Sequence, residues 1–396
     1  MGQPRYIDIF AGCGGMSLGL YNAGWNGVFA IEKNQTAFET LRYNLIDRRG
    51  HFEWPSWLPI REYDINQVIK KYAQKLSSMG EKPDLVVGGP PCQGFSLAGR
   101  RKRNDQRNKA VYSYIKFIEL VKPKALFFEN VRGFTIGFKH GRGRSAPYSS
   151  YIEGELHKLG YNVKGDLIDF SKFGVPQRRH RFILVGLLEG DPDRFFEEIK
   201  NRKQSFLDKK DIPEDGTVEN AISDLKKENG EIEAPDNHNF NMGIYSKPES
   251  KYQKFLRKGQ ESYFPDSHRF PRHKTSTIKK FRKIMQQAES GKAIGDELRK
   301  SLKLGKKCIV PLDGNLPSPT LTTLPDDYIH YCEPRILTVR EYARIQSFPD
   351  WFKFRGKYTT GGLDRVNEVP RYSQIGNAIP PLFSELSGIV MKGMIR

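Results

Sequence analysis

Short apolar runs alternate with helical patterns along the first half of the chain. The runs that predict buried strands are residues 6–10, 28–31, 84–87 and 125–128. Between them, the spacing of apolar positions predicts helices over residues 35–46, 66–77 and 109–121. Strands that alternate with helices at this rhythm predict an α/β fold built on a parallel, doubly wound sheet.

Residues suited to chemistry stand where the predicted strands end. Glu32 ends the second run and Glu129 ends the fourth. Pro90 and Cys92 follow the third run. Because sheets of this kind bind ligands beyond the carboxyl ends of their strands, the sequence predicts a site at this edge.

The charge pattern changes in the second half of the chain. Residues 190–236 hold eight Lys and Arg against 14 Asp and Glu, whereas residues 237–310 hold 18 against six. The basic stretch has weak periodicity and aromatic residues among its cations, so we interpret it as an inserted module that faces DNA. Taken alone, the same stretch also fits a solvated surface rich in lysine.

Composition narrows the class of protein. The 396 residues carry a formal net charge of +19, which predicts a polyanionic partner, either nucleic acid or an anionic membrane surface. No apolar run approaches the ~18 residues of a membrane-spanning helix, and the N-terminus lacks the apolar core of a signal peptide. The four cysteines have neither zinc-site nor disulfide spacing, so we expect a soluble cytoplasmic protein without a metal.

The loop at residues 10–15, Phe-Ala-Gly-Cys-Gly-Gly, joins the first strand to a helix. Its glycines allow a ligand to approach the backbone, and the helix N-terminus offers N–H donors. Ser17 stands where the dinucleotide fingerprint needs its third glycine, which favours a nucleoside cofactor without a pyrophosphate over NAD. Glu32 is placed to accept hydrogen bonds from ribose hydroxyls. A glycine turn that serves packing alone is the alternative.

The segment at residues 90–96, Pro-Pro-Cys-Gln-Gly-Phe-Ser, predicts a reactive cysteine. Two prolines fix the backbone before Cys92 and would hold its sulfur rigidly at the edge of the sheet. The cations that follow at residues 100–109 suit a DNA backbone and could help to hold a thiolate. A small, buried and inert cysteine is the alternative.

Two further segments supply polar groups. Glu129 could hydrogen-bond a ring nitrogen and exchange a proton with it. On a strand through residues 177–181, Gln177, Arg179 and Arg181 share one face, and guanidinium groups suit the acceptor oxygens of a base or a phosphate. Taken alone, these residues also fit a helix-capping or salt-bridged carboxylate and solvent-facing arginines.

These segments belong to a set of six motifs that occur in a fixed order. The motifs are FAGCGG at residues 10–15, PPCQ at 90–93, ENV at 129–131, QRRHR at 177–181, REYARIQSFP at 340–349 and GNAIPP at 376–381. Together they resemble the motif set of the DNA (cytosine-5) methyltransferases, in the compact prokaryotic form associated with restriction-modification systems. The resemblance covers residues 5–188 and 317–391, and residues 190–310 lie where this family keeps its variable target-recognition region.

The resemblance implies a fold and a cofactor. We expect a Rossmann-like, S-adenosylmethionine-dependent methyltransferase sheet with an inserted, smaller target-recognition domain. The catalytic domain would span residues 1–188, the recognition domain 189–365, and a C-terminal return at 366–396 would complete the catalytic domain. The residues implied to bind S-adenosylmethionine are Phe10, Gly12, Gly14, Gly15, Glu32, Asp64, Pro90 and Asn377.

The resemblance also implies a mechanism in which the target cytosine is flipped out of the duplex. Cys92 would add to carbon 6 of this cytosine, while Glu129 protonates or hydrogen-bonds N3. Carbon 5 would then accept the methyl group carried by S-adenosylmethionine. Arg181 would hold the O2 atom of the base, and Arg179 would orient Glu129.

We expect double-stranded DNA as the partner of a monomeric, nucleoid-associated enzyme that is paired functionally with a restriction endonuclease. The predicted DNA contacts come from the loop after Cys92 and from the basic stretch. They are Gln93, Ser96, Arg100, Arg101, Arg103, Arg107, Arg257, Arg269, Arg272 and Lys274.

Two alternatives remain beside this interpretation. One is methylation of RNA by the transfer-RNA branch of the same fold, although that branch carries a Cys-Phe-Thr signature that the chain lacks. The other is a DNA-binding regulator that keeps the cofactor fold without turnover. A protein that only binds DNA has no need of Cys92, Glu129 and Arg181, which disfavours the second alternative.

Overall fold

The chain forms two compact units in a computed structural model. The structure describes residues 2–91, 109–137, 139–140, 143–260, 262–306, 308–359 and 368–395. The first unit comprises Met1–Asp169, His180–Gln204 and Phe383–Arg396, and the second comprises Phe170–Arg179 and Ser205–Leu382. Each unit therefore combines segments that are distant in sequence. The functional boundaries at residues 189 and 366 stay a prediction.

Strands and helices alternate in the first unit, whereas the strands of the second unit have only two or three residues each. The strands are β1 (Arg5–Ile9), β2 (Asn26–Ile31), β3 (Leu85–Gly88), β4 (Ala125–Val131), β5 (Lys139–His140), β6 (Gly143–Arg144), β7 (Asn162–Asp169), β8 (Gln177–Arg178), β9 (His180–Leu187), β10 (Glu231–Glu233), β11 (Asn241–Gly243), β12 (Val310–Pro311), β13 (Ser318–Pro319) and β14 (Tyr328–Ile329). The α-helices are α1 (Gly15–Asn22), α2 (Gln35–Leu41), α3 (Ile65–Ser77), α4 (Lys109–Val121), α5 (Tyr148–Lys158), α6 (Asp193–Lys210), α7 (Val218–Ile222), α8 (Lys251–Leu256), α9 (Thr275–Gln287), α10 (Asp296–Ser301), α11 (Val339–Ile345), α12 (Arg371–Asn377) and α13 (Pro381–Met394). Within the described residues, no helix has the length and apolar composition needed to cross a lipid bilayer.

The first unit is built on a six-stranded sheet with the order β2-β1-β3-β4-β9-β7. Strands β1 to β4 are parallel, as the alternation of strands and helices predicts. The last two strands differ from this prediction, because β9 runs antiparallel to both β4 and β7. No crossover helix separates β7 from β9, and a short connection permits the antiparallel arrangement.

The core of the first unit consists of apolar side chains from the sheet packed against α3, α4 and α5. Phe29 of β2 and Phe117 of α4, for example, are both fully buried, with ring centroids 6.4 Å apart. The chain returns to this unit at its end, where Trp25 donates a hydrogen bond of 2.9 Å to the carbonyl of Gly388 in α13. The carboxyl ends of β1 to β4 are therefore fixed by packing on one rigid sheet.

The second unit is organised around buried ion pairs of α11. Arg344 is fully buried and donates to Asp350 at 2.7 and 3.0 Å and to Asp224. Burial alone would raise the pKa of Asp350, but the neighbouring Arg344 and Arg340 hold it below its ordinary value. The motif at residues 340–349 therefore supports the interior of this unit, since a buried charge is costly unless it is paired.

Candidate active site

The glycine loop forms a left-handed turn between β1 and α1. Gly12 and Gly14 have φ angles of 56° and 92°, which glycine adopts without strain. Phe10 also has a positive φ of 61°, a conformation that is costly for a bulky residue and concentrates at functional sites. A Cβ atom built on Gly12 would meet no atom within 4 Å, so the backbone is open on that side.

Glu32 ties the glycine loop to the end of β2. Its carboxylate accepts hydrogen bonds from the backbone N–H of Gly12 at 2.9 Å and of Asn34 at 2.7 Å. Burial raises the pKa of Glu32, while hydrogen bonds from the backbone N–H groups of Asn34, Gly12 and Lys33 oppose the shift. A carboxylate offers about four acceptor positions, so one remains for a ligand that approaches the open side of Gly12.

Asp64 caps the N-terminus of α3. Its Oδ1 accepts from the backbone N–H of Asn66 at 2.9 Å, and its Oδ2 lies 3.1 Å from Nζ of Lys33. Partial burial raises the pKa of Asp64, but the N–H of Asn66 and the ammonium of Lys33 more than compensate and lower it. The residue therefore lies next to the segment after Glu32 and carries a negative charge at neutral pH.

The loop after β3 packs against the end of β4. A Cβ atom on Gly89 would come within 2.9 Å of a carboxylate oxygen of Glu129, so only glycine allows this approach. Pro90 is buried, and its carbonyl accepts a hydrogen bond of 3.3 Å from the side chain of Asn130. The structure thus brings the start of the proline segment next to Glu129, although Cys92 itself lies outside the described residues.

Glu129 and Arg181 form an ion pair across neighbouring strands. The Nε atom of Arg181 on β9 lies 2.9 Å from Oε1 of Glu129 on β4. Both side chains are only 12–13% exposed. Burial lowers the pKa of Arg181, and the carboxylate of Glu129 opposes this shift. An arginine stays protonated through such changes, so the pair presents a carboxylate held by a cation.

Arg179 makes different contacts from those that the sequence predicts. It is 1% exposed and lies in the second unit, between β8 and β9. Its guanidinium donates to the carbonyls of Leu321 at 3.2 Å, Gly376 at 2.8 Å and Ala378 at 3.3 Å. Arg181 contacts Glu129, and Arg179 holds three backbone segments of its own unit together. The orientation of Glu129 by Arg179, which the family resemblance implies, stays a prediction.

Asp8 is a polar residue at this edge that the sequence analysis did not single out. It is 2% exposed on β1 and accepts a hydrogen bond of 2.6 Å from the hydroxyl of Ser17. Burial raises the pKa of Asp8 to about 7. The available signal is a charged residue inside an otherwise apolar strand, directly before the glycine loop.

The other predicted site residues are distributed as follows. Asn377 is exposed at the end of α12 in the second unit, where its role in cofactor binding stays a prediction. Arg257 donates to the carbonyl of Ser246 at 2.7 Å, while Arg272 and Lys274 are exposed. The predicted residues outside the described part of the chain are Cys92, Gln93, Ser96, Arg100, Arg101, Arg103 and Arg107.

Solved structures with a similar fold are methyltransferases. A prophage-encoded DNA modification methyltransferase of E. coli superposes with a TM-score of 0.64 at 21% identity, covering 98% of each chain. The Dnmt2 methyltransferase of S. pombe superposes with a TM-score of 0.51 at 14% identity, covering 99% of each chain. The fold of this chain is therefore that of the methyltransferase class.

Comparison with known sequences identifies the family of this chain. The family model of C-5 cytosine-specific DNA methylases matches residues 5–387, and the chain belongs to this family, which confirms the resemblance carried by its motifs. Type II methyltransferase M.DdeI of Desulfomicrobium norvegicum is 32% identical, over 96% of this chain and 86% of the relative. Type II methyltransferase M.XorII of Xanthomonas oryzae pv. oryzae is 30% identical, over 100% and 86%.

Proposed function

We propose that this protein methylates carbon 5 of a cytosine flipped out of duplex DNA, through a covalent bond between Cys92 and carbon 6. The observation that carries the proposal is the pair of Glu129 and Arg181 beside the Pro90 loop. A carboxyl group fixed by a guanidinium, with the two prolines that precede Cys92 starting next to it, meets the requirements of pyrimidine activation.

The chemistry explains why these residue types are needed together. Carbon 5 of cytosine is too weak a nucleophile to accept a methyl group directly. Addition of the Cys92 thiolate to carbon 6, with a proton delivered to N3 by Glu129, converts the ring to an enamine that is nucleophilic at carbon 5. After methyl transfer, a water molecule removes the proton on carbon 5, elimination releases the thiolate from carbon 6, and N3 returns its proton to Glu129.

The residues of the first unit fit S-adenosylmethionine as the methyl donor. The open backbone at Gly12 can admit a ligand, and Glu32 keeps an acceptor position for a ribose hydroxyl. Asp64 offers a carboxylate to an adenine amino group. When bound, the cofactor supplies an electrophilic methyl group. The chain's own contribution is to hold the nucleoside, and Phe10, Gly14, Gly15, Pro90 and Asn377 are the further proposed contacts.

Glutamine at position 32 should weaken cofactor binding by about tenfold to hundredfold, because a hydrogen bond to a charged group contributes about 1.5–3 kcal/mol. The amide would also turn an N–H donor toward the N–H of Gly12 or of Asn34. Isothermal titration of Glu32→Gln with S-adenosylmethionine measures this loss. Glu39→Gln, an exposed change on α2, serves as the matched control. Equal affinities of both variants for S-adenosylmethionine would show that Glu32 does not bind the cofactor.

The proposed reaction is tested by incubating the protein with duplex DNA, transfer RNA and labelled S-adenosylmethionine, and by bisulfite sequencing of the methylated DNA. We expect label in the duplex alone and protected cytosines within one short sequence. Label in transfer RNA alone would favour the RNA branch of the fold, and absence of label in both would favour a regulator. The methylated sequence would also be the one that this enzyme protects against a cognate restriction endonuclease.

A basic helix of the second unit provides a surface for the DNA backbone. Helix α9 buries Phe281 and Ile284 in a small apolar cluster and exposes Lys279, Arg282 and Lys283. An amphipathic helix with cations on its solvent face is suited to contact phosphates without reading sequence. We therefore assign α9, rather than only the predicted Lys274 before it, to DNA backbone contacts.

Neutralising this face should weaken the salt dependence of DNA binding. In a variant with glutamine at positions 279, 282 and 283, the slope of log K against log salt should fall by about 0.9 for each lost phosphate contact. The matched control replaces the exposed Lys70, Lys71 and Lys75 of α3, a helix that also has 13 residues. Binding titrations at several salt concentrations compare the two. Equal slopes in both variants would exclude α9 from the interface.

A further inference from the structure

A polar cleft in the second unit contains one guanidinium that donates no hydrogen bond to any of the described residues. The cleft has a volume of about 360 Å³. Its lining residues are Asp236, Asn237, Arg269, Lys357, Tyr358 and Arg371, together with residues 356 and 359. The cations of this cleft differ in their existing contacts, and this difference indicates Arg269 as the residue that can bind a ligand.

Arg269 is held between two aromatic rings. Its guanidinium carbon lies 4.1 Å from the ring centroid of Phe240 and 3.6 Å from that of Tyr358. The side chain is 16% exposed, and the backbone of Arg269 is bridged to Met242 of β11. Such contacts fix the plane of the guanidinium and leave its N–H edge as the part that can bind a ligand.

Among the described residues, the guanidinium of Arg269 donates no hydrogen bond. Its ion-pair partner there is Asp236, at 4.0 Å, which is beyond hydrogen-bond distance. The other cations of the cleft are engaged. Arg371 donates to the carbonyl of Gly356 and to the hydroxyl of Ser267, each at 2.9 Å. Lys357 lies 3.0 Å from Glu368.

The carboxylate of Asp236, 4.0 Å from Arg269 and 3.7 Å from Arg371, already supplies one negative charge to these cations, so the ligand of Arg269 need not be an anion. A rigid planar fork matches two acceptors in one plane, and guanine presents such a pair, O6 and N7, in the major groove.

We infer that Arg269 reads a guanine of the recognition sequence by a bidentate contact to O6 and N7. This inference rests on the proposed function, because it assigns sequence readout to a DNA methyltransferase. Arginine holds its two donors in one fixed plane. Lysine would keep the charge and could still donate to both atoms, but without that fixed planar geometry.

The inference is tested by methylating a random-sequence DNA library with the wild type and with Arg269→Lys and Arg269→Ala, followed by bisulfite sequencing. Arg269→Ala should lose discrimination at one guanine position by about tenfold to hundredfold, and Arg269→Lys should lose less. The control is Arg272→Ala, an exposed arginine three residues away, which should lower methylation uniformly across sequences. An unchanged recognition sequence in Arg269→Ala would overturn the inference. No methylation by the wild type would instead contradict the proposed function.

A second experiment tests the same contact with modified DNA and the wild-type protein alone, so it does not depend on the folding of a variant. Replacement of the guanine by 7-deazaguanine removes N7 and should lower methylation at least about tenfold at that one position. A neutral methylphosphonate linkage next to that guanine distinguishes the phosphate as the source of the acceptors. Sensitivity to the methylphosphonate without sensitivity to 7-deazaguanine would contradict guanine readout.

Discussion

Serine in place of Cys92 should abolish methyl transfer while DNA binding survives. A serine hydroxyl is not ionised at neutral pH and cannot add to carbon 6, so the rate should fall by at least about 10⁴-fold, as when other enzymes lose their nucleophile. Incorporation of the methyl group from labelled cofactor measures methyl transfer, and a DNA titration measures DNA binding. Methyl transfer by Cys92→Ser at the wild-type rate would show that Cys92 is not the nucleophile.

The other cysteines provide the control for this experiment. Burial raises the pKa of Cys13 to about 12 and that of Cys332 to about 11, so both are protonated thiols at neutral pH. Burial also raises the pKa of Cys308. Cys332→Ser should therefore keep full activity. A duplex that contains 5-fluorocytosine should form a denaturation-resistant adduct with this control and with the wild type, and none with Cys92→Ser.

The elements of the parallel sheet could be predicted because their side chains are buried on both faces. The helix predicted at residues 109–121 is found as α4 with the same bounds. The helix predicted at residues 35–46 ends as an α-helix at Leu41 and continues as a π-helix over Arg42–Asp47, a local change of hydrogen bonding that periodicity does not reveal. Strand β7 alternates exposed and half-buried positions without an apolar run, so its pattern does not mark a buried strand.

The partner of Glu129 could not be predicted from the period of a strand. Gln177, Arg179 and Arg181 share one face only if a single strand runs through all three. In the structure the strand is interrupted at Arg179, so the two arginines belong to different units. The antiparallel register of β4 and β9 then places Arg181 opposite Val131, within reach of Glu129. Strand direction and register depend on tertiary pairing, which a local pattern does not encode.

Glutamine in place of Glu129 should lower methyl transfer by about 10²- to 10⁴-fold, the usual contribution of a positioned acid or base. The amide cannot donate a proton from a carboxyl group to N3, yet its carbonyl can still accept the hydrogen bond from Nε of Arg181. Because the cation keeps an acceptor, the variant should stay folded, which a thermal melt compared with the wild type can verify. Single-turnover methylation with saturating DNA and cofactor measures the chemical step itself.

A measurement of base extrusion distinguishes a defect of Glu129→Gln in the chemical step from a defect in DNA binding. A duplex with 2-aminopurine at the target position becomes fluorescent when the base leaves the stack, and Glu129→Gln should give the same signal as the wild type, since flipping precedes proton transfer. Glu119→Gln, an exposed change on α4, should leave both extrusion and methylation unchanged. If Glu129→Gln methylates within about tenfold of the wild type, the loss is below the usual contribution of a positioned acid, and the proton must come from another group. If extrusion is lost as well, Glu129 acts first by holding the flipped base, and the ion pair with Arg181 is part of the pocket for that base.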